Sequence, residues 1–238
     1  MAPDGTAHRP NTAAALGGRS QQIGIAMQFY GKRVLFLGAH PDDIELGCGA
    51  LIHHIRNMSE VTCVTLSENR KNPELQNVVE EQKRSLGILG VPASGTRYGP
   101  FDTRVFPQAR QEILEYFLTL RSELQPEIIF VHSDKDVHQD HLTMTQEALR
   151  AFRGITVLGF DVVRSSHGFF PHFLVEVNEE DVGAKIKALA QYATYRSKYY
   201  FNSELTRSIM IRHGALAERD FAEGFDILRI VGRFEVCE

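Results

Sequence analysis

Three cysteines in 238 residues, Cys48, Cys63 and Cys237, none of them in a CxxC pair, leave no disulfide framework and no cysteine-built zinc site. That usage fits a reducing compartment, and a cytoplasmic protein is expected. No apolar run approaches the roughly eighteen residues that a membrane span needs, so no membrane partner is expected. A basic stripe is also missing. The 26 basic and 30 acidic side chains are interspersed, for a net charge of −4, which removes nucleic acid from the expected partners. The glycines of "GCG" at 47–49 lack GxGxxG spacing, so they are read as close helix packing rather than as a dinucleotide fingerprint.

What is there is alternation of short β-branched runs with longer helical ones. Residues 1–30, rich in Ala, Gly and Gln, are read as a flexible extension, with a transit peptide as the alternative, and 31–238 as one domain. Strands are predicted over 32–38, 60–67, 127–132, 155–160, 172–177 and 225–234. Helices are predicted over 45–57, 74–89, 107–124, 141–152, 179–194 and 204–217. Strands joined by helical crossovers call for an α/β, Rossmann-like fold: a mostly parallel sheet with helices on both faces. Ligands of such sheets bind beyond the carboxyl ends of the strands. Polar clusters stand there: "HPDD" after the first strand, "HSDKDVHQDH" after "EIIFV", and "SENRKN" after "VTCVTL".

Each cluster has an ordinary explanation. Asp42 with Glu45 three residues later reads as a helix capping box, and Asp140 can cap a helix that starts at His141. Capping needs only one acceptor, however, and the two clusters together hold His40, Asp43, His138 and His141. Three His and carboxylate ligands with one open position make a catalytic zinc site. Without sulfur donors, Zn2+, Fe2+ or another divalent transition metal fits the set. His53 and His54, at the far end of the same helix, read as surface residues or dipole partners, and Cys48 as a small core residue. "YRSKYYF" at 195–201 suits a sugar pocket or an interface equally.

"GAHPDDIELGCGALI" and "DVHQDH", each directly after a buried strand, resemble the PIG-L / LmbE-like zinc-dependent N-acetylglucosaminyl deacetylases, whose pattern is AHPDD(E) followed by HxDH. The resemblance covers about residues 32–232. It implies His40, Asp43 and His141 as metal ligands, Asp42 as general base, His138 as the group that meets the oxyanion or leaving amine, and Asp140 as a partner tuning a histidine. It also implies an N-acetylated amino sugar as substrate and a homo-oligomer, trimer or hexamer. Two positions depart from the pattern: Ile44 stands where the family has an acid, with Glu45 one place later, and Val78 stands where an arginine commonly contacts the sugar. Arg70 or Lys71 is a candidate substitute for that contact, and Asn69 a candidate to hydrogen-bond a hydroxyl. An amide hydrolase for a non-sugar substrate and a non-catalytic sugar-binding module are the alternatives. Iron(II) oxygenases share the two-His, one-carboxylate ligand set, but they usually sit on an all-β jelly roll.

Overall fold

The computed structural model describes residues 28–232. The expected extension falls outside these apart from its last residues, which turn into the first strand, Phe29 stacking on Phe130 with ring centroids 6.4 Å apart. The chain runs β1 (Arg33–Gly38), α1 (Asp43–Ile55), β2 (Glu60–Thr65), α2 (Val78–Ile88), β3 (Thr96–Tyr98), α3 (Arg110–Leu124), β4 (Ile128–His132), α4 (Gln139–Ala151), β5 (Thr156–Phe160), β6 (Phe173–Val177), α5 (Glu179–Leu189), α6 (Ser203–Leu216) and β7 (Phe221–Arg229). The sheet order is β3-β2-β1-β4-β5-β7-β6. From β3 to β5 all neighbours are parallel, and β7 pairs antiparallel with both β5 and β6.

Two-residue periodicity in β1 splits its side chains between the layers. Val34 and Phe36 join a core with Leu51, Ile52 and Ala188 on one face; Leu35 and Leu37 join Ile113, Phe117 and Met144 on the other. The α/β doubly wound layout is therefore present, and β1 and β4 meet where the strand order reverses. Both motif-bearing loops leave the sheet at that switch point. Among the described residues no helix is long and apolar enough to cross a membrane.

Several local expectations are corrected. β3 is additional: a three-residue edge strand is too short to announce itself within a Gly/Pro-rich stretch. The predicted 74–89 helix divides into a single 3-10 turn, Pro73–Leu75, and α2, while the 107–124 helix opens with a 3-10 turn before α3. Asp42 does stand at the N-cap of α1, but its side chain caps nothing. At α4 the cap is His138, whose ring accepts the Asp140 amide, so Asp140 lies inside the helix. His53 is not a surface residue: it is buried and, with His54, holds the Asp181 carboxylate at 2.6 and 2.7 Å.

The glycines of α1 allow it to lie close on the sheet. A Cβ on Gly47 would run into the Phe160 ring, which is itself fully buried. Gly47→Ala is therefore expected to destabilise the protein by about 1–3 kcal/mol through overpacking. Gly87→Ala, where a Cβ would meet nothing within 4 Å, gains up to about 1 kcal/mol from helix propensity. Urea midpoints of the two variants check the contrast.

Candidate metal centre and active-site cavity

The loop from β1 into α1 turns sharply. Asp43 Oδ2 accepts the His40 amide at 2.7 Å, and Asp42 takes φ 109°, a backbone region that L-residues rarely adopt and that costs about 1–3 kcal/mol. This turn aims His40, Asp42 and Asp43 beyond the end of β1. The β4–α4 loop brings His138 and His141 to the same place.

Three donor atoms form a nearly equilateral triangle. His40 Nδ1 lies 3.4 Å from Asp43 Oδ2, His141 Nε2 lies 3.5 Å from Asp43 Oδ2, and the two nitrogens are 3.3 Å apart. Ligands about 2.1 Å from a tetrahedral zinc stand about 3.4 Å from one another, so the triangle matches three corners of that coordination shell. The side chains named from the motif as ligands thus converge.

Both histidines are oriented from behind. His40 Nε2 faces Asp140 Oδ2 at 3.0 Å, and His141 Nδ1 faces Asp136 Oδ2 at 2.7 Å. Each carboxylate holds the proton on the outer nitrogen and leaves the inner lone pair for a cation. Asp140 also accepts the amides of Arg104 and Phe106, at 2.6 and 3.3 Å, and Asp136 accepts the His138 amide and the Ser165 hydroxyl. Both are buried.

The donors overlap as two groups, His40 with His138 and His141, and Asp43 with His132 and His141, each within 4.8 Å. Hydrogen bonding separates ligands from neighbours. His132 Nε2 already accepts the Ala39 amide at 3.1 Å, so its lone pair is engaged. His138 Nδ1 accepts the Asp140 amide at 3.2 Å, which leaves its proton on Nε2. Neither His132 nor Asp136 is singled out by the motif reading. Asp136 had a signal, two residues ahead of His138; His132 had none, since as the last residue of a buried strand it reads as core.

Charge follows the same geometry. Burial pulls the His40 imidazole down, but its hydrogen bonds to Asp140 and Asp43 outweigh that and raise it to about 9. Burial and the neighbouring His132 lower His141 to about 4. Burial acts upward on Asp43, yet His141 and His132 hold it well below the ordinary carboxylate range. Asp42 goes the other way, pushed up by burial and by Asp43. Its carboxylate makes no hydrogen bond to the described residues and lines the cavity.

That cavity, of about 490 Å³, is lined by His40, Asp42 and Asp43 at one end and by Asn69, Asn72, Thr103, Tyr195 and Tyr200 along its walls. Asn69 sits in the left-handed region at φ 55°, which Asn tolerates, and accepts the Thr103 hydroxyl. Arg70 is a correction. Its side chain is 77% exposed, pairs with Glu68 through both Nε and Nη2, and does not reach the cavity. Lys71 likewise turns away, to Asp102. The cations on the cavity wall are Arg104, Arg164 and Lys198; of these only Lys198, within the 195–201 segment, lay in a stretch that the sequence offers as a sugar pocket. Of the "YRSKYYF" segment, Tyr195, Ser197, Lys198 and Tyr200 line the cavity.

Asp136→Asn tests the support behind His141. Zinc affinity is expected to fall by about 10- to 100-fold, the usual effect of losing a carboxylate behind a ligating histidine. Competition with a chromogenic chelator measures it.

Comparison with known proteins gives three findings. Residues 35–152 match the family described as PIG-L, GlcNAc-PI de-N-acetylase. An uncharacterized deacetylase, YaiS, of Escherichia coli (strain K12) is 29% identical over 168 residues, covering 68% of this chain and 90% of that protein. Among solved structures, the N,N'-diacetylchitobiose deacetylase of Pyrococcus horikoshii aligns with TM-score 0.64 at 18% identity, over 83% of this chain and 84% of its own. The 4-carboxy-2-hydroxymuconate hydratase GalB of Pseudomonas putida KT2440 aligns with TM-score 0.65 at 18% identity, over 87% of this chain and 100% of its own. The two structures share the fold, and the fold alone does not choose between their reactions.

Proposed function

Because residues 35–152 belong to the PIG-L family of deacetylases, we propose that this chain is a metal-dependent hydrolase that removes the acetyl group from an N-acetylglucosamine-like amino sugar. One observation carries the reading: the 3.3–3.5 Å triangle of His40, Asp43 and His141, with the unpaired Asp42 carboxylate beside it. The donor set fits zinc, since two imidazoles and one carboxylate leave a position open. Bound there, a divalent cation supplies Lewis acidity that brings the pKa of water toward neutrality and polarises an amide carbonyl.

The chain's own groups do the rest. Asp42, beside the triangle and without a hydrogen-bond partner among the described residues, takes the proton from the attacking water as the water oxygen bonds to the acetyl carbon. His138, with its proton on Nε2, donates a hydrogen bond to the carbonyl oxygen as negative charge gathers there. The carbon–nitrogen bond breaks, the amine takes the proton from Asp42, and acetate and the free amino sugar leave. Asn69, Asn72, Thr103 and Ser197 offer partners for sugar hydroxyls, and the cavity volume is that of a small-molecule site. Arg104, Arg164 and Lys198 favour an aglycone that carries negative charge.

The test is acetate release over a panel of N-acetyl sugars, glycosides and nucleotide sugars. Release from at least one amino sugar supports the reading, and release only from non-sugar amides moves the substrate class. A hydratase is the second reading, left open by the fold shared with GalB. It has no leaving amine, so loss of an enoic acid chromophore without acetate would select it.

A further inference from the structure

Two features of the sequence are left over from this mechanism: Glu45, which stands one place past the family's acid, and the aromatic segment at 192–201. They touch. Ile44 is fully buried in the apolar core, facing Gly38 of β1. One residue further round the helix, about a quarter turn away, Glu45 faces Gln82 and Tyr192 and is also fully buried. Its Oε1 accepts the Tyr192 hydroxyl at 2.6 Å and its Oε2 accepts Gln82 Nε2 at 3.3 Å, while Gln82 in turn accepts the Thr65 hydroxyl at 3.2 Å. A second buried carboxylate, Glu81, accepts the Thr194 amide at 3.1 Å. Nothing in the chemistry above uses either acid.

Beyond Tyr192 the chain forms a wall of the cavity. Thr194, Tyr195, Ser197, Lys198 and Tyr200 all line it, yet the segment holds only short 3-10 turns. It is fastened through rings: Tyr192 stacks on Tyr195 with centroids 5.8 Å apart, and Phe201 closes on both at 5.4 and 5.2 Å. Val78 and Leu75 complete that small apolar cluster. The segment's backbone hydrogen bonds are local turns such as Tyr195 to Tyr192, Lys198 to Tyr195 and Phe201 to Lys198, so its position against the rest of the fold depends on such side-chain anchors. Glu45 sits in the first turn of α1, two residues beyond Asp43, so its bond to Tyr192 runs directly from the metal loop to the wall that faces the substrate.

We propose that Glu45 is a positioning residue which, through Tyr192, fixes the 192–201 wall against the metal loop and so sets binding of the sugar beyond the reacting acetamide. The proposal rests on the deacetylase reading for its kinetic consequence but not for the anchor itself. Tyr192→Phe removes one hydroxyl and keeps the ring packing. Glu45→Gln still offers the hydroxyl an acceptor.

The experiment measures hydrogen exchange of 193–201 and of 43–51, zinc content, and acetate release from N,N'-diacetylchitobiose and N-acetylglucosamine. In Tyr192→Phe, exchange at 193–201 is expected to quicken at least tenfold with 43–51 unchanged. KM for the disaccharide should rise at least fivefold, with kcat and zinc content within twofold of the parent. Glu45→Gln should stay near the parent in all readouts. Unchanged exchange at 193–201 overturns the anchor, and an unchanged KM, or a loss confined to kcat or zinc, overturns the positioning role. If the parent releases acetate from neither sugar nor from the wider panel, the deacetylase reading fails while exchange still decides the anchor.

Discussion

Replacing Asp42 by Asn is expected to lower kcat by about 10²–10⁴, the range a positioned general base contributes, while zinc binds as before. The two adjacent aspartates look interchangeable in "HPDD", but the structure divides them. Asp43 accepts the His40 amide and stands 3.4–3.5 Å from three imidazole nitrogens, so its charge is committed. Asp42 makes no such contact, and burial pushes its carboxyl up. Asn is the informative replacement because it keeps the shape of the side chain and cannot take up the proton. Zinc stoichiometry and kcat measured on one preparation separate a base from a ligand: parallel loss of both would place Asp42 on the metal.

The second large effect is loss of the metal. His141→Ala is expected to weaken zinc by more than about a thousandfold, beyond the 10- to 100-fold typical of losing a supporting carboxylate, with acetate release falling alongside. The substitution takes away one corner of the triangle and leaves Asp136, fully buried, without its imidazole. The other donor group makes a different prediction for its own member: if His132 were a ligand, replacing it would also strip the zinc. Because the His132 lone pair takes the Ala39 amide, His132→Gln should keep zinc within tenfold of the parent.

The sheet and the motif loops were legible because their signals are local. A buried β-branched run followed by "HPDD" or "HSDKDVHQDH" specifies both a strand and what its end delivers, and the strand-helix alternation leaves few folds open. The substrate wall was legible only in part, at Asn69 and the 195–201 segment, for the opposite reason. Arg104 and Arg164 reach the cavity from loops that no periodicity describes, and the composition of 195–201 suits a pocket and an interface equally. Arg70, which sequence position alone would send there, is drawn off by Glu68 two residues away. Asp42 resembles a helix cap since Asp followed three residues later by Glu usually is one; the positive φ that turns its side chain into the cavity leaves no trace in residue types. Ile44 also becomes intelligible. That position faces the sheet, and the acid one place later faces the loop it secures.

The most direct test of the account is zinc add-back. Protein stripped with a chelator is titrated with zinc, and bound zinc and acetate release from the preferred N-acetyl sugar are read in the same samples. The account predicts no release without metal and a linear rise to a plateau at one equivalent. Full activity in the stripped protein, or one equivalent bound without release, would contradict it.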